Sequence, residues 1–247
     1  MISLCRSAGL GTLGVLALTL NALPMSAAVA ADQSKGSKGW REHFDVSACT
    51  WSSTGKNDFF ILEPGYQEVL EGKKGTTPVR LEITVLSQTM KIGNIETRVV
   101  EERETHGGEL EEVSRNYFAV CGPTNDVYYF GEAVDIYRGG KVHHHEGEWI
   151  ADTGGAKAGL FMPAQPRVGD RFYQEIAPKV AMDRVEIVSN TESLSTPAGH
   201  FHDCVKTEET TPLEPGAKEY KVFAKGIGII QDGDLLLTKY GSVALRQ

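Results

Sequence analysis

VRLEITVL, residues 79–86, decides the fold. Val79, Leu81, Ile83 and Val85 fall on one side of an extended chain, and Arg80, Glu82 and Thr84 fall on the other. Successive side chains of a strand point to opposite faces, so this period of two marks a half-buried strand. The pattern continues in both halves of the chain. ETRVVEER (96–103) and ELEEVSRNYFAV (109–120) flank His106-Gly107-Gly108, a hairpin turn signal. NDVYYFGE and AVDIYRGGKVHHH follow, with Gly139-Gly140 as a second turn. DRVEIVS, HFHDCVKTEET, AKEYKVFAKG, GIGII and DLLLTKY extend the series. Turn residues recur about every 8–12 positions, the spacing of an all-β domain.

Helical spacing is nearly absent. GGAKAGLFM (154–162) predicts one short helical turn. The inserts at 153–170 and 210–218 read as Gly/Pro-rich loops. The expectation is an all-β fold: an antiparallel meander forming a curved open sheet or partial barrel. Its domain spans 57–247. Residues 31–56 form a polar, partly disordered leader that opens with ADQSKGSKGW.

Residues 1–30 read as a secretory signal peptide: Arg6, an apolar run from Leu10 to Leu20, and Ala28-Val29-Ala30 as a small-x-small cleavage pattern. That run is shorter than the roughly 20 apolar residues a spanning helix needs. The chain is therefore expected in the periplasm or secreted. Of 247 residues, 217 remain after cleavage, carrying 24 basic and 33 acidic side chains, a net charge of −9. Such a chain has no electrostatic reason to bind nucleic acid or anionic lipid. Cys49, Cys121 and Cys204 also remain. An oxidising compartment permits one disulfide and leaves one thiol over. Cys49–Cys121 is the preferred pair, with Cys204 buried in a strand as a small hydrophobe.

NDFFILEPGYQEVLEG (57–72), NYFAV and DVYYFGE (116–132), HEGEW (145–149), GLFMPAQPRVGDRFYQEIAP (159–178) and KTEETTPLEPGAKEYKVFAKGIGIIQDGDL (206–235) resemble a functionally uncharacterised family of secreted bacterial β-rich proteins. TPAG-x-F (196–201) followed by KGIGIIQDG (225–233) resembles the closing strands of periplasmic lipoprotein-carrier-like folds. That second likeness implies a curved antiparallel sheet around an apolar cavity. It names no ligand, since fold does not fix function.

Three constellations carry candidate chemistry. In KVHHHEGEWIAD (141–152), His143 and His145 share one strand face, and His144, Glu146 and Glu148 the other. His200, His202 and Cys204 alternate onto one face of a second strand. If the two strands met, His143, His145, His200 and His202 would suit Cu or Zn. The plainer reading is a solvated polar face beside a Gly-Gly turn. Ile150-Ala151-Asp152-Thr153-Gly154 is similar to an aspartic-protease motif, but that chemistry needs two paired carboxylates, and an Asp/Gly turn is the simpler reading. Glu132, Glu146, Glu148, Glu175 and Asp183 could meet as a hard-cation or acid–base cluster. Tyr128, Tyr129, Phe130, Trp149 and Phe172 read as core, or as the lining of a cavity in a curved sheet. No Gly-x-Ser-x-Gly, P-loop, Cys-x-x-Cys or His-Glu-x-x-His occurs. The leading expectation is a non-catalytic binding protein holding a small apolar or amphipathic ligand on the concave sheet face. The alternatives are a transition-metal-binding protein using the His-x-His pairs, and a hydrolase of unrecognised type.

Overall fold

The computed structural model of the chain describes residues 39–245. The expected signal peptide and the first part of the polar leader lie outside the described residues. Strands account for 63% of the structure, with no helix among the described residues.

In chain order the strands are β1 (Trp51–Ser52), β2 (Tyr66–Lys74), β3 (Thr77–Ile92), β4 (Ile95–His106), β5 (Glu109–Cys121), β6 (Asp126–Arg138), β7 (Lys141–His144) and β8 (Trp149–Ile150). The second half adds β9 (Lys157–Met162), β10 (Arg171–Tyr173), β11 (Glu175–Ile176), β12 (Arg184–Thr196), β13 (Gly199–Thr210), β14 (Glu219–Ala224), β15 (Gly228–Asp232) and β16 (Leu235–Ser242). They form one 16-stranded antiparallel sheet, ordered β10-β12-β13-β14-β15-β16-β2-β3-β4-β5-β6-β9-β11, with β1 on β5 and β7 and β8 on β6. Two meanders, β2–β6 and β12–β16, are joined where Leu237 pairs with Leu70. The sheet curls into a nearly closed barrel with one unsealed seam.

The alternation in VRLEITVL appears as read. Val79, Leu81 and Val85 are buried and Ile83 is half-buried. Hairpins are set by turns whose two central residues both need positive φ. Gly107 and Gly108 (φ 61° and 90°) join β4 to β5, and Gly139 and Gly140 (57° and 73°) join β6 to β7. Glycine adopts that region without a Cβ clash, and the resulting turn matches the strand twist.

The seam is crossed by the chain itself. β10 pairs β12, β11 pairs β9, and Gln174 links β10 to β11. Gly159 on β9 packs against this corner: a Cβ there would lie 2.4 Å from the Gln174 carbonyl oxygen and 2.5 Å from that of Tyr173. The short helical turn expected at 154–162 is instead mostly β9. Leu160, Phe161 and Met162 are all buried, so both strand faces are covered and the alternation that marks a strand is lost.

Residues 39–56 pack on the barrel rather than trailing from it. Arg41 forms a parallel bridge to Phe172 on the edge strand β10, and Trp40 lies under the guanidinium of Arg184, 4.4 Å from its ring centre. Phe44 and Trp51 meet Tyr128 edge-on. A Cys49–Cys121 disulfide holds this segment to β5, and Cys204 is free and buried.

Candidate functional site

The predicted histidines do not come together. β7 pairs with β6, whereas β13 lies between β12 and β14, so the two His-x-His runs are not on neighbouring strands. His143 is exposed, with its Nδ1 2.8 Å from that of His144. His145 turns back to the Val134 carbonyl at 2.7 Å, with Asp135 at 3.2 Å and Glu148 at 3.4 Å. His200 and His202 are exposed and contact Ser195 and Ser193 at 2.7 and 3.0 Å. Cys204 leaves their face. Asp203 takes a left-handed φ of 52°, and the register slips between Glu192–Cys204 and Leu194–Phe201. This one-residue bulge turns Cys204 into the core. Among the described residues, no three His, Cys, Asp or Glu side chains are grouped to hold a metal ion. Asp152 sits in a turn at φ 64°, its N–H donating to the Ala156 carbonyl at 2.9 Å.

The acids divide. Glu146 and Glu148 are exposed, and Glu148 accepts from the Val134 N–H at 3.1 Å. Glu132 and Glu175 are buried and Asp183 half-buried. The last two are linked by the Asp183 N–H donating to Glu175 Oε1 at 2.7 Å, while Glu175 Oε2 is buried without a hydrogen bond. Burial, then the neighbouring Asp183, pushes the Glu175 carboxyl well above its ordinary range. Burial likewise raises Glu132 to about 8 and, with Glu209 nearby, Asp183 to about 6.

The richer set was not foreseen. Glu68, Glu102, Lys221 and Asp232 line one cavity in the barrel interior together with Phe60, Ile61, Ile83, Val85, Val100, Phe118, Phe161, Phe223 and Ile229. Residues from β2–β5 and β9 thus face residues from β14 and β15 across one space. Phe60, Ile61 and Ile83 are half-buried, while the four charged residues are at most 9% exposed. Phe60, Ile61 and Ile83 reach toward solvent, whereas Val85, Val100, Phe118, Phe161 and Phe223 are as buried as the four charges.

Each charged group is held by the sheet register. Lys221 pairs across to Asp232, and its Nζ stands 2.9 Å from Glu209 Oε2 and 3.7 Å from Asp232 Oδ1. Burial by itself would lower the Lys221 ammonium; Asp232, Glu209 and Glu219 together raise it well above the usual lysine range. Asp232 is raised to about 7, by burial first, with Lys221 opposing. Glu68 Oε1 accepts the Ile229 N–H at 2.7 Å, yet burial still carries the carboxyl up to about 8. Gly228, at φ 108°, makes this fit: a Cβ there would lie 2.2 Å from Glu68 Oε1.

These residues carried a faint signal in sequence. Lys221 is two positions from Phe223, and Glu102 two from Val100, so each charge shares the face of an apolar neighbour. A charge in phase with the core is a candidate interior charge.

No family model, curated protein or solved structure matches the chain. The arrangement inside the barrel therefore stands on its own geometry.

Proposed function

We propose that this chain is a non-catalytic binding protein of the periplasm or extracellular space that holds a small amphipathic ligand inside the barrel. One observation carries the reading: a single interior cavity joins an aromatic and aliphatic wall to a buried charged floor. Ligand sites are built this way, with mostly apolar linings and a few placed polar groups that fix orientation. The cavity measures about 30 Å³, so the ligand's apolar part spreads the half-buried Phe60 and Ile83 to lie beside Phe161, and its polar part reaches Glu68, Lys221 and Asp232. The Cys49–Cys121 bond fits an oxidising compartment.

Methyl-resolved NMR with 1-decanol and decylamine tests this. The expected result is saturable one-to-one binding, with shifts centred on Ile83, Val85, Val100 and Ile229. Ile83→Trp, which fills the outer wall, removes it. Failure of every chain from hexyl to dodecyl to bind, whatever the headgroup, would overturn the reading.

A further inference from the structure

A second pocket lies outside the barrel, where the segment before β1 crosses β6. It measures about 270 Å³, room for about nine waters at their liquid volume. Ile92 and Ile95 line it from the end of β3 and the start of β4, and the buried Tyr128 and Phe130 line it from β6. Trp51 meets both of those rings edge-on, with centres 5.4 and 5.1 Å apart and planes at 89° and 88°. The three rings therefore make a corner of perpendicular surfaces. Tyr129, between Tyr128 and Phe130 in sequence, stacks instead on Phe118, which lines the interior cavity. The two pockets thus lie on opposite faces of the sheet.

Two polar walls flank the aromatic corner. The first is the segment before β1, tied to β5 by the Cys49–Cys121 disulfide and steadied by Arg41, whose guanidinium lies 4.9 Å over the Phe44 ring. The second is the turn between β8 and β9, where Asp152 takes a φ of 64° and its N–H donates to the Ala156 carbonyl, next to Lys157. Glu42 and His43 line the pocket from the first wall, and Asp152 and Lys157 from the second; all four are exposed. Each wall therefore carries an acceptor and a donor.

That arrangement selects a ligand chemistry. An anion would face Glu42 and Asp152, and a cation would face Lys157. A zwitterion needs its two signs bound apart, whereas here acid and base stand together on each wall. A hydroxyl both donates and accepts, so a neutral polyol satisfies both walls at once. The aromatic corner requires an apolar surface as well. A pyranose ring has both: hydroxyls around its rim, and C–H bonds on its face whose slight positive charge suits the negative face of an aromatic ring. The geometry points to a carbohydrate site: one pyranose ring, free or at the end of a glycan, lies against Trp51 and bonds through its hydroxyls to Asp152, Lys157, Glu42 and His43.

The test is two-dimensional NMR of the indole N–H groups. Of the chain's three tryptophans, Trp51 lines this pocket and Trp40 and Trp149 do not. The methyl pyranosides of glucose, galactose and mannose, and N-acetylglucosamine, are titrated in turn. At least one is expected to shift the Trp51 resonance saturably and leave that of the buried Trp149 in place. Maltotriose and chitotriose separate the two sources: tighter binding than their single rings assigns a glycan end, and equal binding assigns a free sugar. Asp152→Gly keeps the positive φ and should weaken binding about tenfold, the loss of one hydrogen bond to a charged group. Lys157→Met should act in the same direction. Ile83→Trp should bind sugar as the wild type does, so failure of the interior site leaves this one standing. A Trp51 resonance unmoved by every sugar at tens of millimolar, or unchanged affinity in both the Asp152 and Lys157 variants, would overturn the proposal. So would tetramethylammonium, acetate or phenylalanine binding there more tightly than any sugar.

Discussion

Glu68 shows how one side chain links sequence, folding and pH. It sits in QEVL, where its neighbours Val69 and Leu70 are both buried, and its carboxyl is carried inward to the Ile229 N–H. The raised pKa fixes the sign of its effect. Relative to a chain in which it titrates at 4.5, the folded protein holds the proton up to about 8. Stability from this group is full below pH 4.5 and is lost as pH rises through about 8, at about 1.4 kcal/mol per unit across the window. Asp232, Lys221 and Glu102 face the same cavity, and Asp232, with its value moved from 3.8 to about 7, acts in the same direction. The melting temperature should therefore fall between pH 5 and pH 8, and Glu68→Gln should flatten that fall; a wild-type profile that rises across the window would contradict the interior placement of these acids. Lys221 is the counterpart. Lys221→Met removes the ammonium between Glu209 and Asp232 and should cost about 3–5 kcal/mol by denaturant unfolding at pH 8, as for other broken buried pairs. At pH 5 the loss should shrink, because Asp232 is then protonated.

Among the elements, β3, β4 and β5 were legible and β9 was not. β3 buries one face through Val79–Val85, so apolar and polar residues alternate there, whereas β4 and β5 bury the consecutive runs Thr97–Val100 and Asn116–Cys121 and are legible from the turn between them. The Gly107-Gly108 turn between β4 and β5 announces its hairpin, because both central positions have positive φ. β9 lies beside the corner at Gln174 with Leu160, Phe161 and Met162 buried together, and a run of that kind has no period. Two strand readings failed for local reasons. The bulge at Asp203 reversed the phase that grouped Cys204 with His200 and His202, and phase arguments do not survive an inserted residue. The interior charges were hidden because Glu and Lys in a strand are read as the wet face by default, and a barrel with a charged lumen inverts that default. Gly159 provides a test at this scale. Gly159→Ala drives a Cβ into the Tyr173 and Gln174 carbonyls at the seam, so it should destabilise by several kcal/mol. Hydrogen exchange should show the added opening concentrated in β9, β10 and β11; protection unchanged there would mean the corner does not depend on close approach.

For the whole molecule, two meanders joined at β16–β2 curl until their ends meet at a seam that the chain bridges through Gln174. That closure turns the concave face of a sheet into an interior, and residues far apart in sequence, from Glu68 to Asp232, come to share one space. The class of fold was open to reading because it depends on period. The site was not, because it depends on which strands meet across the barrel, and pairing of β2 with β16 leaves no mark in either segment. The most direct measurement is a crystal structure of the protein grown with decylamine. The account predicts density for an alkyl chain along Phe60, Ile83 and Phe161, with its polar end at Glu68, Lys221 and Asp232. An interior filled by protein side chains, with the amine absent or bound on the outer surface, would contradict it.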